Sequence, residues 1–457
     1  MKEYTKTKSG LHYKIIQQGT GEKAMLGDTV SLFETTSYRD GTVLYSNENA
    51  SAPIQIILGE HMVIQAVEEG LRGMRSGEIK KIIAPPHLVK REIYPKNVSP
   101  DSTLVIKLRV QQIQKGSVKT ANNTTIKTND LDMFIQEQMT AKKVPGLSFA
   151  LISDGEIVYK KSYGFENVET KKRVTNQTIF EAASVSKAVF AYFTMLAKEQ
   201  NIISLDVPLY KYFSEPLLAD ERYKKITARM ALSHTSGLPN WRFLNEDGKL
   251  DIKFTPGTKF HYSGEGYEYV AKVLAHLYKV DYDGLDSIIN TKVYQPLNMM
   301  HSRFRVTEQQ LATKKATGYE NGTVSEGIPA DLAKPYFGAS FKFHTTIDDF
   351  SKWMLALLNS QLMKQETQNE MFSEQVILPE EEALRIENGF DSWALGFIRT
   401  KTKYGLKLAH GGMNPSFQCY FMILPNTKFG FVFFGNSNSA LDILPELEHY
   451  LLTGTHQ

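Results

Sequence analysis

The chain has 457 residues, long enough for two or three domains, and 42% are hydrophobic, which excludes a disordered protein. Its 53 basic and 50 acidic residues leave a formal charge of +3, so charge gives no case for nucleic acid or an anionic membrane as partner. No apolar run reaches the length of a membrane span, and C-x-x-C and H-E-x-x-H are absent. Neither a span nor a metal or other cofactor is expected.

The opening MKEYTKTKSGLHYKII has basic residues but no apolar signal core. As the chain begins, it is expected in the cytoplasm, or in the periplasm if a signal segment has been removed. Cys419 is the single cysteine, which excludes an internal disulfide. In FQCYFMIL it reads as a small core residue.

Residues 1–114 read as a β-rich domain. Thr103–Ile113 alternates, with Leu104, Ile106, Leu108 and Val110 on one face and Lys107, Arg109 and Gln111 on the other. That is the pattern of a half-buried antiparallel strand. Arg39-Asp40-Gly41 marks a hairpin, IQIILG and EIKKIIA are further strands, and Gln65–Met74 is a short helix. The order GDTV, DG, LGEHMVIQAVEEGLRGMRSGE, IIAPP, SPDSTLVIKLRV resembles the FKBP-type peptidyl-prolyl isomerases. The resemblance implies a curved antiparallel sheet around one short helix and an apolar pocket that desolvates a prolyl amide.

Carried over by resemblance, that pocket falls on Glu34, Leu44, Tyr45, Val63, Ile64, Val67, Val89 and Ile106. Its aromatic lining is depleted. Val67 stands where the family usually has Trp, Glu34 and Val89 where it has Tyr, and Leu44-Tyr45 where it has Phe-Asp. Weak or lost isomerase activity is the expectation, with prolyl segments as the partner class.

Residues 115–129 are polar, free of aromatics and aperiodic, and read as a linker. Residues 130–457 form the second domain. Asp130 caps a first helix whose stripe is Leu131, Phe134, Ile135 and Met139. GLSFALI and EIVYKKSYG form a hairpin, and LKLAHGG, FQCYFMILP and FGFVFFGN form three late strands. Strands at both ends with helices between them point to one antiparallel sheet assembled from distant segments.

Chemistry concentrates in FEAASVSKAVFAYFTMLA. Ser184 and Lys187 lie one helical turn apart among apolar residues, where an amine held neutral can take the hydroxyl proton. An N-cap serine followed by a solvated lysine shows the same spacing, so the rest of the chain decides. Tyr262-Ser263-Gly264 sits on a Pro-Gly-introduced loop before a helix, a place from which a side chain reaches a cleft. His410-Gly411-Gly412 ends a strand, and its glycines let a substrate approach the backbone. His234, in LSHTSG, reads as structural. Asp348-Asp349 read as helix-start residues. The absence of G-x-S-x-G argues against an α/β-hydrolase.

FEAASVSK, LSHTSGLP, FHYSGEGY, WALGF and HGG, in that order, resemble the serine β-lactamase and penicillin-binding-protein family in its class C and esterase branch. The resemblance implies an α/β domain with an antiparallel sheet flanked by helices plus a helical subdomain. It makes Ser184 the acylated nucleophile, Lys187 its base and Tyr262 the proton relay. The oxyanion hole falls to the N–H groups of Ser184 and Met413. Gly264 replaces the usual Asn, and His410-Gly411 replaces Lys-Thr ahead of Gly412, removing groups that hold acylamino and carboxylate parts of a β-lactam.

The sequence therefore reads as a two-domain serine hydrolase acting on an ester, peptide or β-lactam-like substrate through an acyl-enzyme. The alternatives are a β-lactamase or D-Ala-D-Ala carboxypeptidase, and a prolyl isomerase or binding protein with an inert hydrolase fold.

Overall fold

The computed structural model describes residues 4–91, 94–95, 98–215, 218–242, 250–306, 315–325 and 336–456. The chain divides into two compact units, Met1–Met133 and Phe134–Gln457.

In the first unit the strands are β1 (Thr5–Lys6), β2 (His12–Gln17), β3 (Thr29–Ser37), β4 (Val43–Ser46), β5 (Ile54–Ile57), β6 (Ile79–Ala84) and β7 (Leu104–Gln114). They pair antiparallel in the order β1-β2-β6-β7-β3-β4, with β5 also on β3. Alternation along β7 buries Leu104, Ile106, Leu108 and Val110. The short helix α1 (Gln65–Leu71) packs on β6 and β7 through Ala66, Val67 and Leu71, closing one apolar core.

The stretch read as a linker carries structure. Strands β8 (Ser117–Lys119) and β9 (Thr125–Lys127) form a small hairpin that buries Val118 and Ile126. Its turn places Asn123 at φ +67°, a conformation asparagine tolerates. Two apolar residues in a polar run were enough to anchor a hairpin. Helix α2 (Thr128–Ala141) starts directly after β9, so Asp130 lies in its first turn and is not its cap.

The second unit is built on one antiparallel sheet. Its strands come from both ends of the unit: β10 (Gly146–Ser153), β11 (Glu156–Asn167) and β12 (Lys172–Arg173), then β17 (Val376–Ile377), β18 (Ser392–Trp393), β19 (Ile398–Thr402), β20 (Gly405–Asn414), β21 (Phe417–Leu424) and β22 (Phe429–Gly435). Among the described residues the order is β12-β11-β10-β22-β21-β20-β19-β18-β17. Between the two sets fall the short strands β13 (Phe180–Glu181), β14 (Tyr319–Glu320), β15 (Thr323–Val324) and β16 (His344–Thr345). Strands β10, β21 and β22 are buried along their whole length, as in a sheet covered on both faces.

The helices α3 (Ser186–Glu199), α4 (Ala228–Leu232), α5 (Glu265–Tyr278) and α6 (Leu285–Ile289) share one large core. α7 (Ile347–Leu358) packs on β10, β11 and β22 and starts at Thr346, whose side chain accepts from Asp349 N. α8 (Gln365–Phe372), α9 (Ala383–Asn388) and α10 (Leu444–Thr453) complete the set used below. No helix among the described residues is long and apolar enough to cross a membrane.

Candidate active site

Ser184 lies in a single 3-10 turn, Ala183–Val185, that feeds into α3. The residue before it, Ala183, is held at φ +44°, a left-handed conformation costly for a residue with a Cβ. The turn is held from three sides. Ala182 N donates to Phe343 O, Ser186 Oγ accepts from Phe343 N, and Cys419 Sγ lies 3.3 Å from Ala182 O.

Lys187 is fully buried, as its apolar neighbours in the sequence suggest. Its Nζ is 3.3 Å from Ser184 Oγ and 2.8 Å from Ser340 O. Burial pushes its ammonium down to about 7, with the Glu268 carboxylate opposing. Glu268, on α5, accepts hydrogen bonds from Ser340 N and Ser340 Oγ, at 3.0 and 2.5 Å. It thereby fixes the segment whose carbonyl holds the lysine. Neither Ser340 nor Glu268 carries a recognisable sequence motif, and both were missed.

Tyr262 hydrogen-bonds Ser184, and its ring lies 4.8 Å from Lys187 Nζ. Burial raises its phenol above the ordinary tyrosine value, so it is a protonated donor at neutral pH. Its loop is fastened by His234, which is buried at φ +59°. The His234 Nδ1 accepts from Ser263 N at 3.0 Å, and the His234 ring lies 4.3 Å from the Tyr262 ring. The histidine read as structural thus positions the tyrosine. Trp393, from the WALGF motif, closes the other side of Tyr262 at 5.8 Å between ring centroids.

β19 accompanies β20 only as far as Ala409. From His410 onward the free edge of β20 faces the nucleophile turn, which brings Gly411, Gly412 and Met413 to Ser184. A Cβ on Gly412 would stand 2.4 Å from Ala182 O, so only glycine permits this approach. His410 is buried, and its Nδ1 lies 2.7 Å from Gly411 O, so that nitrogen carries the proton. Desolvation pushes its pKa down to about 3, with the Lys187 charge adding to the effect. A neutral imidazole stands where the sequence comparison expected a cation to be missing.

Gly264 donates its N–H to Asn240 Oδ1 at 3.0 Å, and a Cβ there would meet Asn240 O at 2.6 Å. The asparagine of β-lactamases cannot be restored at this position without moving that loop. Ser184, Tyr262, His410, Gly411, Gly412 and Met413 border a cavity of about 420 Å³ whose remaining wall is largely apolar. Gly264 does not line it.

The residues expected to form an isomerase pocket are arranged differently. Val67, Val89 and Ile106 are core residues, with Leu44, Val63 and Ile64 packed against them and Tyr45 exposed. Glu34 is buried, where desolvation raises its carboxyl, opposed by the Thr36 hydroxyl at 2.5 Å and by Arg91. Asn47 ties the same strand, accepting from Glu34 N and donating to Leu32 O. Among the described residues, no group of three or more His, Cys, Asp or Glu side chains is placed to hold a metal.

A beta-lactamase family model matches residues 131–452. The chain belongs to that family. A second model, FKBP-type peptidyl-prolyl cis-trans isomerase, matches residues 20–111 of this beta-lactamase-family protein. It is 23% identical over 355 residues to Protein flp of Staphylococcus aureus (strain N315), covering 71% of this chain and 67% of that one. Its FKBP-type part is 39% identical over 101 residues to FK506-binding protein 2 of Yarrowia lipolytica, covering 22% of this chain and 70% of that one. The octameric penicillin-binding protein homologue from Pyrococcus abyssi shares the fold of the hydrolase part. Its TM-score is 0.60 at 23% identity, covering 72% of this chain and 78% of that one. The fused architecture, an FKBP-type module before a serine hydrolase-family unit, is thereby established.

Proposed function

We propose that this protein hydrolyses an ester or amide through an acyl-enzyme on Ser184. The observation that carries the proposal is Lys187: a buried amine at about 7, with its Nζ 3.3 Å from the serine hydroxyl. Such an amine is neutral often enough at pH 7 to accept the Ser184 proton as Oγ attacks the substrate carbonyl. The carbonyl oxygen becomes an oxyanion, received by the Ser184 and Met413 N–H groups. Tyr262 gives its proton to the leaving atom as the carbonyl–leaving-group bond breaks, and regains one from Lys187. Water, deprotonated by the same pair, then attacks the acyl-enzyme and releases the acid.

A β-lactam or a peptide ending in a carboxylate is the less favoured substrate. His410 is neutral, and the Gly264 position has no side chain to offer an acylamino group. The FKBP-type module is proposed as a docking or folding-helper unit with weak isomerase activity, because Glu34 and Val67 replace aromatic rings.

A fluorophosphonate probe tests the hydrolase reading. Wild-type protein should be labelled and should hydrolyse p-nitrophenyl acetate, whereas Ser184→Ala should do neither. Equal labelling of both proteins would sink the reading, and rapid penicillin turnover would favour the lactamase alternative.

A further inference from the structure

We propose that the cavity beside Ser184 receives the leaving-group half of the substrate, and that this half is uncharged and largely apolar. The inference rests on the reading of Tyr262 as proton donor to the leaving atom. An acyl carbonyl seated between the Ser184 and Met413 N–H groups turns its leaving atom toward Tyr262. Whatever is bonded to that atom continues past His410 and Trp393, both of which line the cavity. The walls there are Leu384, Phe390, Trp393, Ile398, Leu441 and Leu444, drawn from α9, β18, β19, α10 and the segments beside them. Phe390, Trp393 and Ile398 also form a separate apolar cluster with Phe260 and Leu378, so this wall is built and not an accident of loose loops.

Two polar observations set the charge preference. The His410 Nδ1 donates to Gly411 O, so its Nε2 is an acceptor, and that atom is buried without a partner. A carboxylate, which also only accepts, finds nothing there to bond; a hydroxyl or N–H does. Glu382 is the one charged side chain among the residues lining the cavity, and it repels an anion. A neutral alcohol or amine with a hydrocarbon body fits both conditions.

The test varies the two halves of an ester separately. Acetates of ethanol, butanol and hexanol lengthen the leaving group at nearly constant leaving-group basicity. Ethyl esters of butyric and hexanoic acid lengthen the acyl side. The acetate of ω-hydroxyhexanoate adds a charge to the leaving group. Expected is a rise in kcat/KM of about two- to fourfold per methylene on the alcohol, as for methylenes entering an apolar site. A smaller rise is expected on the acyl side, with the anionic ester at least about tenfold below hexyl acetate. Leu444→Trp, which fills the cavity, should lower the hexyl-to-ethyl ratio; Leu441→Trp serves if that variant does not fold. A flat alcohol series, an equal or steeper acyl series, or an anionic ester as good as hexyl acetate would overturn the proposal while leaving acyl transfer standing. Failure of every ester to show Ser184-dependent turnover would remove the underlying reading, and this proposal with it.

Discussion

Lys187 can take a proton from Ser184 only as a neutral amine. Because burial lowers its pKa to about 7, the protonated form dominates below that pH and the neutral form above it. Activity should therefore rise with pH across about 6 to 8 and level off above, measurable as kcat/KM for an uncharged ester. Lys187→Ala should lose on the order of a hundred- to ten-thousandfold in kcat and abolish that limb of the profile. His234 acts at one remove, by accepting from Ser263 N beside Tyr262. His234→Ala should lower kcat by roughly tenfold to a hundredfold with little change in KM, since it misplaces a group without removing it. His234→Asn should recover part of the loss. Asparagine tolerates the φ of +59° and brings an oxygen acceptor to the same side. Ser184, Lys187 and Tyr262 were legible because side chains that react need particular residue types at particular spacings. Ser340 was not, because it serves through a backbone carbonyl, which any residue possesses.

At the scale of elements, the site depends on β20 lying against the nucleophile turn. Gly412→Ala would drive a Cβ into a backbone oxygen at 2.4 Å, which no side-chain rotation relieves. It should cost about 1–3 kcal/mol of stability, read by denaturant unfolding, and disturb the Met413 N–H as well. A drop of at least about tenfold in kcat/KM is expected to accompany it. The strands β7, β10 and β20–β22 were readable from alternation or from continuous apolar runs, because burial on one or two faces imposes those patterns. The β8–β9 hairpin was not. Three-residue strands hold too few positions to show a period, and only Val118 and Ile126 mark it. The start of α2 shifted for the same reason: a strand end, and not a capping side chain, delivers the chain into the helix.

Across the whole molecule, two family signatures were each carried by motifs in a fixed order, and both are borne out by the family models over 20–111 and 131–452. The FKBP-type module keeps its sheet and helix while losing aromatic rings from the expected pocket. Two lost aromatic contacts should lower isomerase efficiency by roughly 5- to 150-fold against an FKBP domain that retains them. A cis/trans assay on a prolyl peptide with the full chain checks this, and full efficiency would contradict it. Substrate was the part least legible in the sequence. The cavity wall gathers Leu384, Trp393, Ile398 and Leu441 from separate elements, and no linear motif records their meeting. The acyl-enzyme itself is the most direct test of the account. Rapid-quench mass spectrometry during ester turnover should find one acyl group, located on Ser184, forming faster as pH rises through about 7. An adduct on another residue, or turnover by Ser184→Ala with no adduct, would contradict it.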